Sequence, residues 1–557
     1  MSSLRAGQLL KISVIWRLLL LCVGLVVGWS VRHFVIRADA GFGWDEASHS
    51  LKALVIAQDF RTGDWLGFLY DIYRQVYWPP LHSFIVGIAF LCAGPAAITA
   101  RMVSLILFLL TGPIIYLAAL QFHQRYRDAA AAAATALFFT SPLLITFSGL
   151  AMLEIPGVFF LTLTILVYLW LNAAPRPPTA WAWLGMAMAL TYLTRTNYGI
   201  LLILVWLVST FLGGGIRALT SRSSLYAILP LALMFFIWFA YPPKIRSTLA
   251  ALVNIPWGMK NPYSLEGFLF YPRVILHLFG SIWQSVLPVA AVLFASRYWK
   301  NPGIRFLIVL TLLQLGIGLV HHNRIDRHMI PVIPALALMT GFVFSEFWNI
   351  EAGRITSWSA RLGALLLCLA GVARLPLALH PPDVAWHPEV ADAIATKAEG
   401  ATLVLGTGEM RSPSPPVLDW ELVNHRLLGV TRSGIAMNVD QDRKLWLMIR
   451  NGPLPLKSRI GRTLTRPEQP GNVRTLYLGV PPEADYSSGP DKAAAFIRRM
   501  ETASPFDTIV VATANIPNAS YPFELLDGMV RPLGFAHAAQ ETFPGANFRL
   551  DVYRRVP

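Results

Sequence analysis

Long apolar runs constrain this chain more than any other feature. A helix needs about 20 apolar residues to cross a bilayer. Stretches of that character recur at 18–35, 99–120, 129–147, 155–172, 180–193, 198–213, 224–242, 274–295, 304–320, 329–346 and 360–379. The pair 180–193 and 198–213 is short and reads as a partly buried hairpin. Only 14% of the 557 residues are charged, against roughly 25% in a soluble domain. The expected fold is a polytopic α-helical membrane protein. The first run, Leu18 to Trp29, continues into Val35 without a small-residue cleavage site, so it reads as a signal anchor.

Loop charge sets the orientation. Arg5, Lys11 and Arg17 precede the first run. Arg125 with Arg127, Arg176, Arg217 with Arg222, the group Arg297, Lys300 and Arg305, and Arg354 with Arg361 follow in short loops. All fall on one side if these runs cross, as the positive-inside rule requires. This distribution also accounts for the net charge of +15, and no basic-aromatic nucleic-acid face accompanies it. The apolar stretch Trp78 to Ala96 breaks the charge rule if it crosses, so it is expected to lie along the outer face. About eleven spans remain, with the N-terminus inside and the C-terminus outside.

The chain then divides into a membrane region, 1–380, and an extracytoplasmic domain, 381–557. Residues 36–98 form a long first external loop, and further external loops surround Glu154, span 243–273 and run from His321 to His328. The last region carries strand-like runs at Thr402–Gly406, Thr475–Val480, Thr508–Val511 and Phe548–Tyr553 separated by helical stretches, which suggests α/β. The three cysteines, Cys22, Cys92 and Cys368, lie in apolar segments, so neither a disulfide framework nor a CxxC metal site is expected.

Four places outside the membrane carry chemistry. Gly43-Trp44-Asp45-Glu46 follows the first span. A carboxylate there suits a general base taking a proton from an acceptor hydroxyl; an Asp capping a helix that starts at Glu46 is equally open. Glu154, in Ser148-Gly149-Leu150-Ala151-Met152-Leu153-Glu154-Ile155-Pro156, sits at the outer mouth of a span. It is either a second acid facing the same cavity or a helix N-terminal acid favoured by the macrodipole. Arg101, at the outer end of its span, breaks the charge trend and calls for a carboxylate or lipid phosphate as partner, unless it snorkels. His321-His322-Asn323-Arg324-Ile325-Asp326-Arg327-His328 is a basic loop whose guanidiniums suit bidentate phosphate binding. Lys244 and Arg246 are further external cations, and Arg195 is a weaker one at uncertain depth. A divalent metal on Asp45, Glu46, Glu154 and the external histidines is compatible with the sequence, but the spacing does not demand one.

Several of these motifs resemble the GT-C superfamily, specifically its protein O-mannosyltransferase and bacterial lipid A aminoarabinose transferase branch. The resemblance covers roughly 15–350. Asp45-Glu46 matches the acidic pair of the first external loop. Trp78-Pro79-Pro80-Leu81 stands where the family often has Lys-Pro-Pro-Leu. Ala100-Arg101-Met102-Val103-Ser104, Leu150-Ala151-Met152-Leu153-Glu154-Ile155-Pro156 and Arg327-His328-Met329-Ile330-Pro331 match three further runs. The resemblance implies that Asp45 is the catalytic base, with Glu46 beside it and Glu154 as the second acid. It implies phosphate or acid pairing for Arg101, Arg324 and Arg327; Lys244, Arg246 and His328 are further candidate donor-phosphate contacts, and Trp44, Tyr77, Trp78 and His82 candidate first-loop contacts. The implied reaction is inverting transfer of a sugar from undecaprenyl or another polyprenyl phosphate to a lipid, glycan or protein acceptor, on the outer face of a bacterial inner membrane. Three departures stand out: Trp78 replaces the usual Lys, Glu154 replaces Asp and His328 replaces Tyr. The rival reading is a transporter or flippase for a lipid-linked glycan. Against it, no internal repeat is detectable and the charges gather at the outer face instead of the midplane.

Overall fold

Apolar runs become helices here because a bilayer leaves backbone N–H and C=O groups no other partners. The protein is seen in a computed structural model. It describes residues 2–36, 41–73, 75, 78–122, 127–240, 245, 263–280, 282–321, 324–349, 362, 366, 369, 372–373, 379, 388–407, 415–424, 473–478, 497–498, 501–502, 505–514, 523–543 and 548–556. In chain order the helices are α1 (Ser2–Ser30, continuing helically to Val35), α2 (Trp44–Thr62), α3 (Trp65–Tyr73), α4 (Leu81–Ala93), α5 (Ala97–Leu120) and α6 (Arg127–Phe139). Then come α7 (Pro142–Ser148), α8 (Glu154–Ala173), α9 (Ala182–Thr194), α10 (Thr196–Leu219), α11 (Arg222–Phe239), α12 (Leu265–Ile275), α13 (Ile282–Ala295), α14 (Pro302–Val320) and α15 (Val332–Asn349). The C-terminal region adds α16 (Pro388–Lys397), β1 (Thr402–Thr407), α17 (Pro415–Asn424), β2 (Val473–Leu478), β3 (Thr508–Ala514), α18 (Phe523–Val530), β4 (Phe535–Phe543) and β5 (Phe548–Arg555).

Among the described residues six helices are long and apolar enough to cross a membrane, and seven if α6 and α7, bent by 61°, make one span. The chain is a multi-pass membrane protein. Several expected spans take another form. The run at 180–193 is the 13-residue α9, about 20 Å of helix where a bilayer core needs about 30 Å. Its partner, read as short, is the 24-residue α10, kinked at Gly214–Gly215. The run at 274–295 breaks between α12 and α13, where Gly280 takes a φ of 90°. Most of 360–379 lies outside the described residues. The 13-residue α4 is too short to cross.

The chain separates into two compact units. The first comprises 1–37, 75–82 and 100–382, and is helical. Its core includes the alanine run of α6, with Ala130 to Ala134 all buried. Small side chains let neighbouring backbones approach closely, the usual basis of helix packing in lipid. Thr164 of α8 and Thr191 of α9 meet with hydroxyls 3.2 Å apart, a polar tie between the two helices.

The second unit comprises 38–74, 83–99 and 383–557. Most of residues 38–99, expected as the first external loop, therefore packs with the C-terminal region. Its sheet has the order β2-β1-β3-β5-β4. The β1–β2 and β1–β3 pairs are parallel, and β3–β5 and β4–β5 antiparallel. Side chains alternate faces along a strand. Val404, Val510 and Ala512 accordingly pack with α16 and α17 on one face, while Leu403, Leu405, Ile509 and Val511 pack with α18 on the other.

Candidate active site

Glu154 opens α8, and its first-turn carboxylate faces the positive end of the helix dipole. It is 1% exposed. Such a buried charge survives only when paired, and it is paired twice. Its Oε1 lies 2.6 Å from Arg195 Nη1 and 3.6 Å from Arg327 Nη1. Arg195 occupies the joint between α9 and α10 in extended conformation (φ −149°, ψ 106°). The break turns its side chain onto the Tyr198 ring, 4.8 Å from the centroid, and its Nε donates to Asn197 Oδ1 at 3.2 Å. The first turn of α8 reaches this joint because Gly157 has no side chain. A methyl there would sit 2.8 Å from Tyr198 Cδ2 and 3.3 Å from Arg195 Cβ.

Arg327 and His328 lie in a short helical turn before α15. Arg327 stays 26% exposed while it reaches Glu154. His328 Nδ1 is 3.1 Å from the Tyr271 hydroxyl, and the His328 carbonyl accepts from Gln314 Nε2 at 2.8 Å. Burial, with Arg195, His321 and Arg327 around it, lowers the His328 pKa to about 3. Burial likewise lowers fully buried His82 to about 4, with the Glu154 carboxylate working the other way. Both imidazoles are neutral near pH 7, so His328 can offer a phosphate a hydrogen bond but no charge. Two guanidiniums converge on one carboxylate at the mouth of α8.

The remaining expected cations divide. Arg324 donates to the carbonyls of Gly318 and Leu319, the latter at 2.8 Å, in the last turn of α14. It binds the negative end of that helix, and its guanidinium stands 5.5 Å from the Tyr271 ring centroid. Arg101 is fully buried near the start of α5, in the helical unit. Trp78 is half-buried in the same unit. Lys244, Arg246 and Tyr77 lie outside the described residues.

In the second unit α2 starts at Trp44, two residues earlier than the alternative with Asp45 as cap supposes. The cap comes from the other acid: Glu46 Oε2 accepts from the Gly43 N–H at 3.0 Å. Glu46 is 2% exposed and fixes the helix end. Asp45, in the same turn, is half-exposed.

Among the described residues no group of three or more His, Cys, Asp or Glu side chains is arranged to hold a metal ion. Arg195 holds a more central place in the cluster than its isolated position in the sequence suggests. The signal available was a lone cation, Thr194-Arg195-Thr196-Asn197, interrupting two apolar runs.

The fold is shared with solved membrane proteins of the same helical and α/β organisation, and the sequence motifs resemble those of the GT-C class. Residues 79–259 match the family model of dolichyl-phosphate-mannose-protein mannosyltransferases. Among solved structures the chain is similar to ArnT from Cupriavidus metallidurans in the apo state, with a TM-score of 0.57 and 15% identity over 97% of both chains. It is also similar to ArnT from the same organism bound to undecaprenyl phosphate, with a TM-score of 0.55 and 14% identity over 97% of this chain and 98% of that one. No curated protein sequence matches it.

Proposed function

We propose that this protein is an inverting glycosyltransferase that takes its sugar from a polyprenyl-phosphate donor. The observation that carries the reading is the Arg195–Glu154–Arg327 cluster. One acid and two guanidiniums meet at a helix mouth, with Arg327 partly exposed. An anionic donor needs such a site, and guanidinium suits phosphate. The family match and the undecaprenyl phosphate held by ArnT point to the same donor chemistry.

In this reading Arg327 holds the donor phosphate, with Glu154 and Arg195 fixing its position. Asp45 accepts the proton of the acceptor hydroxyl as the oxygen attacks the anomeric carbon. The bond from that carbon to the phosphate oxygen breaks, and its electron pair leaves with polyprenyl phosphate. Attack opposite the leaving group inverts the configuration. Arg327 stabilises charge developing on the departing phosphate, an effect often worth several kcal/mol. The reaction is assigned to the outer face of a bacterial inner membrane, following the loop charges. The acceptor is a lipid, glycan or protein hydroxyl.

Purified protein in detergent, given a polyprenyl-phosphate sugar and an acceptor extract, is expected to release free polyprenyl phosphate. Asp45→Asn should cut that release by about 10²- to 10⁴-fold with normal expression. Full turnover by the variant removes Asp45 from the role of base. No release by the wild type from any donor tried returns the transporter reading.

A further inference from the structure

We propose that Trp420 of the C-terminal region is a positioning residue for Asp45, and that this region works as a buttress for the helix carrying the base. The inference rests on the role given to Asp45 above.

The observation begins with α17. Leu418 and Leu422, four residues apart, lie on one helical face and enter the core under the sheet with Val404, Val510 and Leu550. Trp420 lies about 200° around the same helix, so it points away from that core. It is nevertheless only 2% exposed. What buries it is the first external loop. Its ring stands 4.7 Å from Phe42 in an edge-on arrangement and 6.0 Å from Phe90 of α4. Both phenylalanines are fully buried. Aromatic pairs at such distances are directional as well as apolar.

Phe42 is the residue just before the Gly43 cap of α2, and Asp45 follows in the first turn. Phe90 lies on the helix that rides on α2: a methyl at Gly87 would sit 3.0 Å from the Ala53 carbonyl oxygen and 3.1 Å from Ile56 Cγ2. Trp420 therefore touches the chain entering α2 and the helix lying on α2. The Glu46 cap closes the same corner from within. With its other face anchored in the sheet core, α17 holds the first turn of α2 against rotation and translation. General-base catalysis needs that accuracy, since a 1 Å misplacement can cost about 10²-fold.

The test uses full-length purified protein and the polyprenyl phosphate release assay. Trp420→Ala is expected to lower kcat by about 10- to 100-fold while donor KM stays within about twofold. Trp420→Phe should restore most of the rate. In an Asp45→Asn background, Trp420→Ala should change the residual rate by less than about twofold, because the group it positions has gone. Should Trp420→Ala fail to accumulate, Phe42→Leu removes the opposing ring and must show the same kcat loss with the same dependence on Asp45. Wild-type kcat in whichever variant accumulates, or an equal loss in the Asp45→Asn background, overturns the inference. Full turnover by Asp45→Asn instead overturns the base assignment and the inference with it. An inactive Asp45→Asn beside a fully active Trp420→Ala removes the buttress alone.

Discussion

Asp45 and Glu154 are both acids in the first turn of a helix, yet their surroundings differ in kind. Glu154 is sealed, with one guanidinium at 2.6 Å and a second at 3.6 Å. Asp45 is half-exposed, and its neighbour Glu46 supplies the cap. A carboxylate clasped by two arginines serves as a structural anchor, and the proposed base stands instead in a more open helix turn. Their chemistry is set by what surrounds them more than by residue type.

The largest effect that tests this contrast is on stability. Glu154→Gln leaves two guanidiniums without their carboxylate, and breaking a buried pair commonly costs about 3 kcal/mol or more. The variant should melt well below the wild type in detergent, whereas Asp45→Asn should lose turnover and keep its melting temperature. A Glu154→Gln protein with unchanged thermal unfolding would show that the ion pairs do not hold this region together.

Next in size comes pH. The folded pKa values of His82 and His328 fall to about 4 and about 3, below the roughly 6.5 of an unfolded chain. The unfolded state therefore takes up protons first. The stabilisation is complete above about pH 6.5 and drains away as the pH drops towards those folded values. At pH 5 the loss should be about 2 kcal/mol per histidine. Thermal unfolding at pH 7 and pH 5 measures it, and His328→Asn should flatten the dependence. An unchanged slope would contradict a neutral, buried His328.

The smallest effect belongs to Glu46. Glu46→Ala removes the acceptor for the Gly43 N–H and should cost about 1 kcal/mol of stability. Its kcat should fall less than that of Asp45→Asn. Equal kcat losses in the two would mean that the acids act as a pair.

Much of this was legible in the sequence, for identifiable reasons. Length and apolarity mark α1, α5, α8, α11 and α14, whereas the glycines at 213–215 shorten the apparent run of α10. Short apolar runs containing β-branched residues mark β1 and β3, and alternation of apolar and polar residues marks β5. Hydropathy does not register a break inside an apolar run, so the gap between α12 and α13 was invisible. Strand β4 was missed because its middle, Ala536 to Glu541, is largely exposed and shows no alternation. At the site, acid and cation types were readable but their partners were not. Arg324 reads as a phosphate ligand until α14 is seen to end beneath it. Arg195 looks incidental until the extended backbone at its joint directs it to Glu154. The Glu46 cap was masked because Gly43 lacks the side chain that completes the usual Ser/Thr-x-x-Glu signature.

Gly157 gives the charge cluster an unusual sensitivity. The spacing between Glu154 and Arg195 is regulated by a hydrogen atom standing where every other amino acid carries carbon. One added methyl would press on the Tyr198 ring and the Arg195 stem at once, levering the guanidinium off its acid without changing any charge. The geometry of the ion pair is thus adjustable through steric bulk, at a position bearing no polar side chain.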